Sequence, residues 1–147
     1  MTTVIGVTGH RKLFHAKDVI LNQFDEKFKS INFSKVITGM ALGFDQLVAE
    51  WCIENNIPFI AAIPFETQAK LWNPNQIKIY LNLLEKAEDI MVVSPGEYAS
   101  YKLQVRNEWI VDNSDIVIAY CFQDKGGTYN CLQYAKRKSK PIQRLGF

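Results

Sequence analysis

The stretch Arg106–Asn130, RNEWIVDNSDIVIAYCFQDKGGTYN, decides how the chain is read. It closes one helical segment, runs through an apolar strand from Ile116 to Cys121, and turns at Gly126-Gly127-Thr128 into a further helix. A strand that passes through such a turn into a helix leaves backbone N–H groups free at the helix N-terminus. There the helix dipole favours an anion, phosphate above all. Glycine at the turn permits positive φ and close approach of a ligand to the backbone. The stretch therefore points to a nucleotide-like ligand. It also contains a gap: no carboxylate follows the turn, where a hydrolase would place one.

Outward from this stretch, short apolar runs alternate with helical patterns. Strands are expected at Val4–Val7, Lys35–Thr38, Phe59–Ile63, Ile90–Val93 and Ile116–Tyr120, with a last edge strand at Pro141–Leu145. Between them the apolar spacing marks helices. Ile20, Leu21, Phe24 and Phe28 share one face over Lys17–Ser30, and Phe44, Leu47, Val48, Trp51 and Cys52 share one on the next helix. Asn73-Pro74 supplies an N-cap and a first-turn proline for a helix whose apolar face is Ile77, Tyr80, Leu81 and Leu84. Tyr101–Asn113 reads as a fourth helix, and Thr128, Cys131, Leu132 and Ala135 mark the fifth. This order implies an α/β fold with a mainly parallel central sheet covered by helices on both faces. The uninterrupted apolar strands agree with a doubly covered sheet. Ligands of such sheets bind beyond the carboxyl ends of the strands. Gly9-His10-Arg11, Gly39 to Asp45, Pro64 to Gln68, and Gly126-Gly127-Thr128 all fall on that rim.

Composition narrows the partners. The 147 residues suit a single domain, residues 1–147. A net charge of +2 gives no long-range field that would argue for nucleic acid. Cys52, Cys121 and Cys131 form no CxxC pair, and with His10 and His15 as the only histidines no zinc site is expected. No cofactor is implied. No apolar run approaches the length of a membrane span, so the chain reads as a reduced, cytoplasmic protein.

TGHR (residues 8–11), TGMALGFD (38–45), IPFIAAIPFETQAKLW (57–72), RNEWIVDNSD (106–115) and GGTYNC (126–131) together resemble the YpsA-like family of the SLOG superfamily, named for the Smf/DprA proteins and the Lonely-guy enzymes. The resemblance runs from Gly6 to about Pro141. It implies a Rossmann-like three-layer sandwich that binds nucleotides or their derivatives, and it implies a homodimer. Lonely-guy enzymes cleave the N-glycosidic bond of nucleoside monophosphates, Smf/DprA proteins bind single-stranded DNA, and other SLOG domains resemble sensors of NAD-derived signals. Arg106 fits the arginine that precedes the last core strand in the Lonely-guy pattern, and Gly126, Gly127 and Thr128 fit its glycine-rich turn. The glutamate of that pattern is absent; Asn130 and Cys131 stand there instead.

Each candidate has a functional and a structural reading. Gly126-Gly127-Thr128 is either a phosphate cradle or a tight turn with Thr128 as N-cap. Gly39-Met40-Ala41-Leu42-Gly43-Phe44-Asp45 lacks dinucleotide-fingerprint spacing. Its glycines suit a turn that opens a helix, and Asp45 either accepts from a ribose hydroxyl or a base, or stabilises the helix N-terminus. Arg106 either clamps a phosphate or pairs with Glu108, Asp112 or Asp115; Arg11 is similar, and His10 is either a phosphate donor, a general acid or structural. Past Pro64, Phe65 and Trp72 offer stacking and Gln68 a base-edge contact, against a loop packed on its own core or a dimer contact. Glu66 and Glu50 are the carboxylates available to replace the missing acid, with Arg106 as the third catalytic candidate. Asn130 bonds a ribose or phosphate, or faces solvent. Lys136, Arg137, Lys138, Lys140 and Arg144 read as a solvated helix end rather than a nucleic-acid patch. Three functions follow, in order of preference: a nucleotide-derivative sensor or sequestering module, an N-glycosidase, and a single-stranded DNA-binding module.

Overall fold

The computed structural model describes residues 3–147, in which strands and helices alternate throughout. They are β1 (Thr3–Gly9), α1 (Lys17–Lys29), β2 (Phe33–Thr38), α2 (Phe44–Glu54), β3 (Phe59–Ile63) and α3 (Pro74–Glu85), followed by β4 (Asp89–Val92), α4 (Tyr101–Asp112), β5 (Ile116–Tyr120), α5 (Gly127–Arg137) and β6 (Ile142–Arg144). The six strands form one sheet in the order β4-β3-β2-β1-β5-β6. Every pairing is parallel. The fold is thus α/β and Rossmann-like, with the sheet wholly rather than mainly parallel.

The alternation of side chains along β5 shows how both faces are used. Ile118 and Tyr120 enter a core with Phe24 and Phe28 of α1 and Phe44, Val48 and Trp51 of α2. Val117 and Ala119 enter a second core with Val111 of α4 and Cys131, Leu132 and Ala135 of α5. Helices α1, α2 and α3 pack side by side on one face, and α4 against α5 on the other. Edge-on rings at 5.0 Å (Phe24–Trp51) and 4.7 Å (Phe28–Trp51) knit the larger core. Truncating any of these rings to alanine would cost about 3–5 kcal/mol.

Beyond β4 the chain crosses the sheet through α4 and inserts β5 beside β1, pairing Gly9 with Tyr120. The segments that leave β1 and β5 therefore run to opposite faces. This is the switch point at which a parallel sheet opens a crevice.

Local signals behave as physics requires, with two corrections. Helix α3 has its capping box: Asn73 Oδ1 accepts from Gln76 N at 2.8 Å, and Gln76 Oε1 from Asn73 N at 3.1 Å. Its buried residues, however, are Tyr80 and Leu83, while Leu81 is 58% exposed. One residue beyond Tyr80 lies about 100° round the helix, outside the stripe that meets the sheet. The second correction concerns α5. Its N-cap is Gly126, no side chain caps it, and Thr128 lies inside the helix. Among the described residues no helix is long and apolar enough to cross a membrane.

Candidate functional site

A cleft of about 680 Å³ opens at the switch point, over the carboxyl ends of the strands. That volume falls in the range of small-molecule sites. Its floor holds two groups of opposite charge that burial makes expensive, Asp45 at 7% exposure and Arg106 at 5%.

Arg106 projects from α4 under the β2–α2 turn. Nη1 donates to the Gly39 carbonyl at 2.6 Å, to Gln68 Oε1 at 3.3 Å and to the Ala62 carbonyl at 3.5 Å; Nε donates to Asn107 Oδ1 at 3.1 Å. A Cβ on Gly39 would stand 2.7 Å from Nη1 and 2.9 Å from Asp45 Oδ2. Gly39 is therefore the residue that lets both charges settle beneath the turn. Burial pulls the guanidinium down from its ordinary pKa and Asp45 pulls it back up; an arginine stays charged regardless. The alternative of a surface ion pair for Arg106 is not what the fold forms: Glu108 accepts from Gln104, Asp112 from Tyr134, and Asp115 from the Val4 backbone.

Asp45 sits in the first turn of α2. Its carbonyl accepts from Thr38 Oγ1 at 2.8 Å, and Oδ2 accepts from Ala41 N at 3.3 Å. Desolvation raises its pKa to about 6, against the opposing pull of Arg106, the Ala41 N–H and Arg11. Among the described residues it is the carboxylate that lines the cleft.

The cleft lining is both polar and apolar. Its polar part includes Arg11, Lys125 and the open turn Gly126-Gly127-Thr128. A Cβ on Gly126 or Gly127 would meet nothing within 4 Å. Asn107 Nδ2 donates to the Gly127 carbonyl at 3.5 Å, so the residue after Arg106 touches the α5 turn. The ion pairs among the described residues, Lys29–Asp25 at 2.6 Å and Lys35–Glu88 at 3.9 Å, leave Arg11, Lys70 and Lys125 uncommitted. Its apolar part is Phe65, Leu71, Trp72, Tyr98 and Leu103. Phe65 meets Tyr98 edge-on at 5.6 Å, and Leu71 stands 94% exposed at the lip.

His10 is held between the rings of Phe14, Tyr120 and Phe122. Its Nε2 accepts from Phe122 N at 3.1 Å. That bond assigns the lone pair to Nε2 and the proton of the neutral ring to Nδ1. Burial lowers its pKa. The ring is thus a neutral donor, unsuited to act as a cationic acid at neutral pH.

Of the residues selected from sequence, Gly9, His10, Arg11, Asp45, Phe65, Gln68, Arg106, Gly126, Gly127 and Thr128 line the cleft. Others lie outside it. Met40 is fully buried in the main core, with φ of 60°. Gly43, at φ of 89°, has no room for a Cβ because the Arg11 and His10 carbonyls press on it, and His10 O accepts from Phe44 N. Pro64 is buried at the end of β3. Asn130 is exposed on α5. Glu50 lies further along α2, outside the cleft lining. Glu66 is exposed and turned away: Oε2 accepts from Gly96 N at 3.0 Å, and its own and Gly96's N–H hold the carboxyl below its ordinary pKa. Gln68 is in the cleft but committed, since Nε2 donates to Tyr80 Oη and to the Gly39 carbonyl while Oε1 takes Arg106. It positions the arginine rather than offering a free edge. Lys70, Leu71, Tyr98, Asn107 and Lys125 line the cleft without having been singled out. They are loop or helix-surface residues with no periodic signal; Lys70 beside Leu71, and Lys125 before the Gly-Gly turn, are the clues the sequence offers.

Comparison with known proteins agrees with this architecture. The SPbeta prophage-derived protein YoqJ of Bacillus subtilis is 36% identical over 138 residues, spanning 82% of this chain and 80% of that protein. The UPF0398 protein LBA1157 of Lactobacillus acidophilus is 27% identical over 92% of this chain and 78% of its own length. Among solved structures, the DNA processing protein A (DprA) of Streptococcus pneumoniae superposes with a TM-score of 0.74 at 15% identity. This chain is covered to 97% and spans half, 50%, of the pneumococcal one. DprA of Helicobacter pylori, described for its single-stranded DNA binding mode, gives 0.67 at 20% identity, over 97% of this chain and 64% of that one. At these identities the likeness is one of fold. The family model described as the YspA SLOG family (YpsA) matches residues 6–146, and the chain belongs to that family.

Proposed function

We propose that the cleft binds a nucleotide or nucleotide derivative, as a sensor or sequestering module. The observation that carries this reading is the convergence of an uncapped, sterically open helix N-terminus with a buried Arg106–Asp45 floor in one cleft. The α5 turn offers free N–H groups and the positive end of a helix to a phosphate. Arg11 and Lys125 add exposed cations to the cleft, and Phe65, Leu71, Trp72 and Tyr98 supply apolar surface on which a base stacks. His10 Nδ1–H is suited to a phosphate or sugar oxygen. Native mass spectrometry of the protein mixed with AMP, NAD, ADP-ribose and cyclic nucleotides tests the reading. A retained intact nucleotide supports it; a bare protein in every mixture rejects it.

A second reading follows from the likeness to the Helicobacter DprA, whose described property is single-stranded DNA binding. If that applied here, affinity for an oligonucleotide would fall steeply with salt. Turnover is a separate matter. With Glu66 and Glu50 outside the cleft, a glycosidase reading passes to Asp45, and free base released in the same mixtures would establish it.

A further inference from the structure

We infer that the cleft selects ribose over deoxyribose, with the sugar hydroxyls of the ligand donating to Asp45, whose Oδ1 stands without a donor in the cleft floor. The inference rests on the nucleotide reading above and makes it specific.

Oδ1 of Asp45 is the buried side-chain oxygen that lacks a hydrogen-bond partner among the described residues. Leaving such an acceptor unmade is costly, more so for a charged group. The neighbours that would ordinarily satisfy it are engaged elsewhere. Ala41 N serves Oδ2. Thr38 Oγ1 serves the main-chain carbonyl. Arg106, the nearest cation, gives its hydrogen bonds to Gly39, Gln68, Ala62 and Asn107. One buried carboxylate oxygen of the floor is thus left without a donor.

The missing partner must be a donor, because an ionised carboxylate only accepts. Position says which part of a nucleotide brings it. Arg106 touches Gln68, on the loop that carries Leu71 and Trp72. Its neighbour Asn107 touches Gly127 at the α5 turn. Asp45 shares the Gly39 site with Arg106, so it lies beside the pair of residues whose contacts reach both that loop and the α5 turn. In a nucleotide whose phosphate lies at the turn and whose base lies on the wall, the sugar is what spans the middle. A ribose presents a pair of adjacent hydroxyls there, and a 2′-deoxyribose has lost one. A site built around a donor rejects the analogue that lacks it far more strongly than an apolar pocket rejects a missing methylene. The selection separates this cleft from a DNA-binding role on the same fold.

The test is a competition by native mass spectrometry. Wild-type protein is mixed with AMP, GMP, CMP and UMP against their 2′-deoxy counterparts at equal concentration, at pH 7.5. The expected result is a preference of about tenfold or more for the ribo member of whichever pair binds. In the D45N variant, which keeps an oxygen for the Ala41 N–H, that preference falls to about threefold or less. Lowering the pH below 6 in the wild type weakens it as well, because the carboxyl takes up a proton and ceases to be a pure acceptor. Equal binding of the two sugars by the wild type overturns the inference and leaves the nucleotide reading standing. So does a preference that follows the base and ignores the sugar. Failure of every nucleotide to bind, here and in the mixtures with NAD, ADP-ribose and cyclic nucleotides above, overturns both. The wild-type comparison decides the matter even if D45N does not fold.

Discussion

Two glycine-bearing turns meet at the rim of this sheet, and they use the same residue for opposite ends. In the β2–α2 turn the absent side chains are filled by the protein: Gly39 leaves space for Arg106 and Asp45, and Gly43 for the backbone of His10 and Arg11. In the β5–α5 turn nothing fills them, and Gly126 and Gly127 face open space. The first turn is a joint that locks the floor; the second is a vacancy kept at a helix N-terminus. Substitution at the two turns should therefore damage different properties.

The largest effect is expected at Gly43. G43A drives a Cβ into the Arg11 backbone at a φ of 89°, which L residues rarely adopt. Destabilisation of about 4 kcal/mol, read by urea denaturation, follows from overpacking plus backbone strain; a wild-type midpoint would break the contrast. Next is Arg106. R106A strips the Gly39 carbonyl and Gln68 of their donor and leaves Asp45 uncompensated, so stability drops by about 3 kcal/mol. Nucleotide affinity should drop with it, and loss of affinity at unchanged stability would move Arg106 from the joint to the ligand alone. D45N works in the other direction. Asp45 carries a folded-state pKa raised to about 6, so the native state takes up a proton that the unfolded chain releases near 4. The wild type therefore loses stability as pH rises through 6, and D45N lacks that loss. Between pH 4 and pH 7.5 the wild type should therefore lose about 1–2 kcal/mol relative to the variant. Thermal melts across that range measure it; parallel curves would mean that Asp45 titrates normally. The smallest change in stability is expected at the open turn. G127A adds a methyl that meets nothing within 4 Å, so stability shifts by about 0.5 kcal/mol or less. Nucleotide affinity should nonetheless fall by about tenfold, and binding at wild-type strength would place the phosphate elsewhere.

The sequence carried the architecture because burial writes it plainly. Ile5, Val7, Val36, Phe59 and Ile118 are core residues on continuous apolar strands, and Asn73-Pro74 announces α3 by local hydrogen bonding alone. Leu81, Leu83 and Leu84 crowd little more than one turn and give no single phase, so only packing decides that Leu83 points inward and Leu81 does not. The site was legible as a set of loops on one rim, and illegible in its interior. A glycine in a sequence does not reveal whether its missing side chain faces backbone, as at Gly43, or open space, as at Gly127. Glu66 and Glu50 suit the role of the missing acid by chemical type alone; in the fold one bonds to Gly96 and the other lies outside the cleft lining. That Asp45 is the carboxylate in the cleft depends on Arg106 reaching Gly39 across 67 residues of chain, which no local pattern encodes.

The three tryptophans occupy very different surroundings. Trp51 is sealed in the core at 7% exposure, and Trp109 packs against Ile37, Ala62 and Ile110. Trp72 lines the cleft, edge-on to Tyr80 at 5.1 Å, and Tyr80 is bonded to the same Gln68 that steadies Arg106. The indole emission of this protein thus contains one component that samples the ligand site and two that do not. In a W51F/W109F background the remaining fluorescence becomes a label-free titration signal, with an acrylamide-accessible emitter in the free protein and a shielded one once a base lies against it.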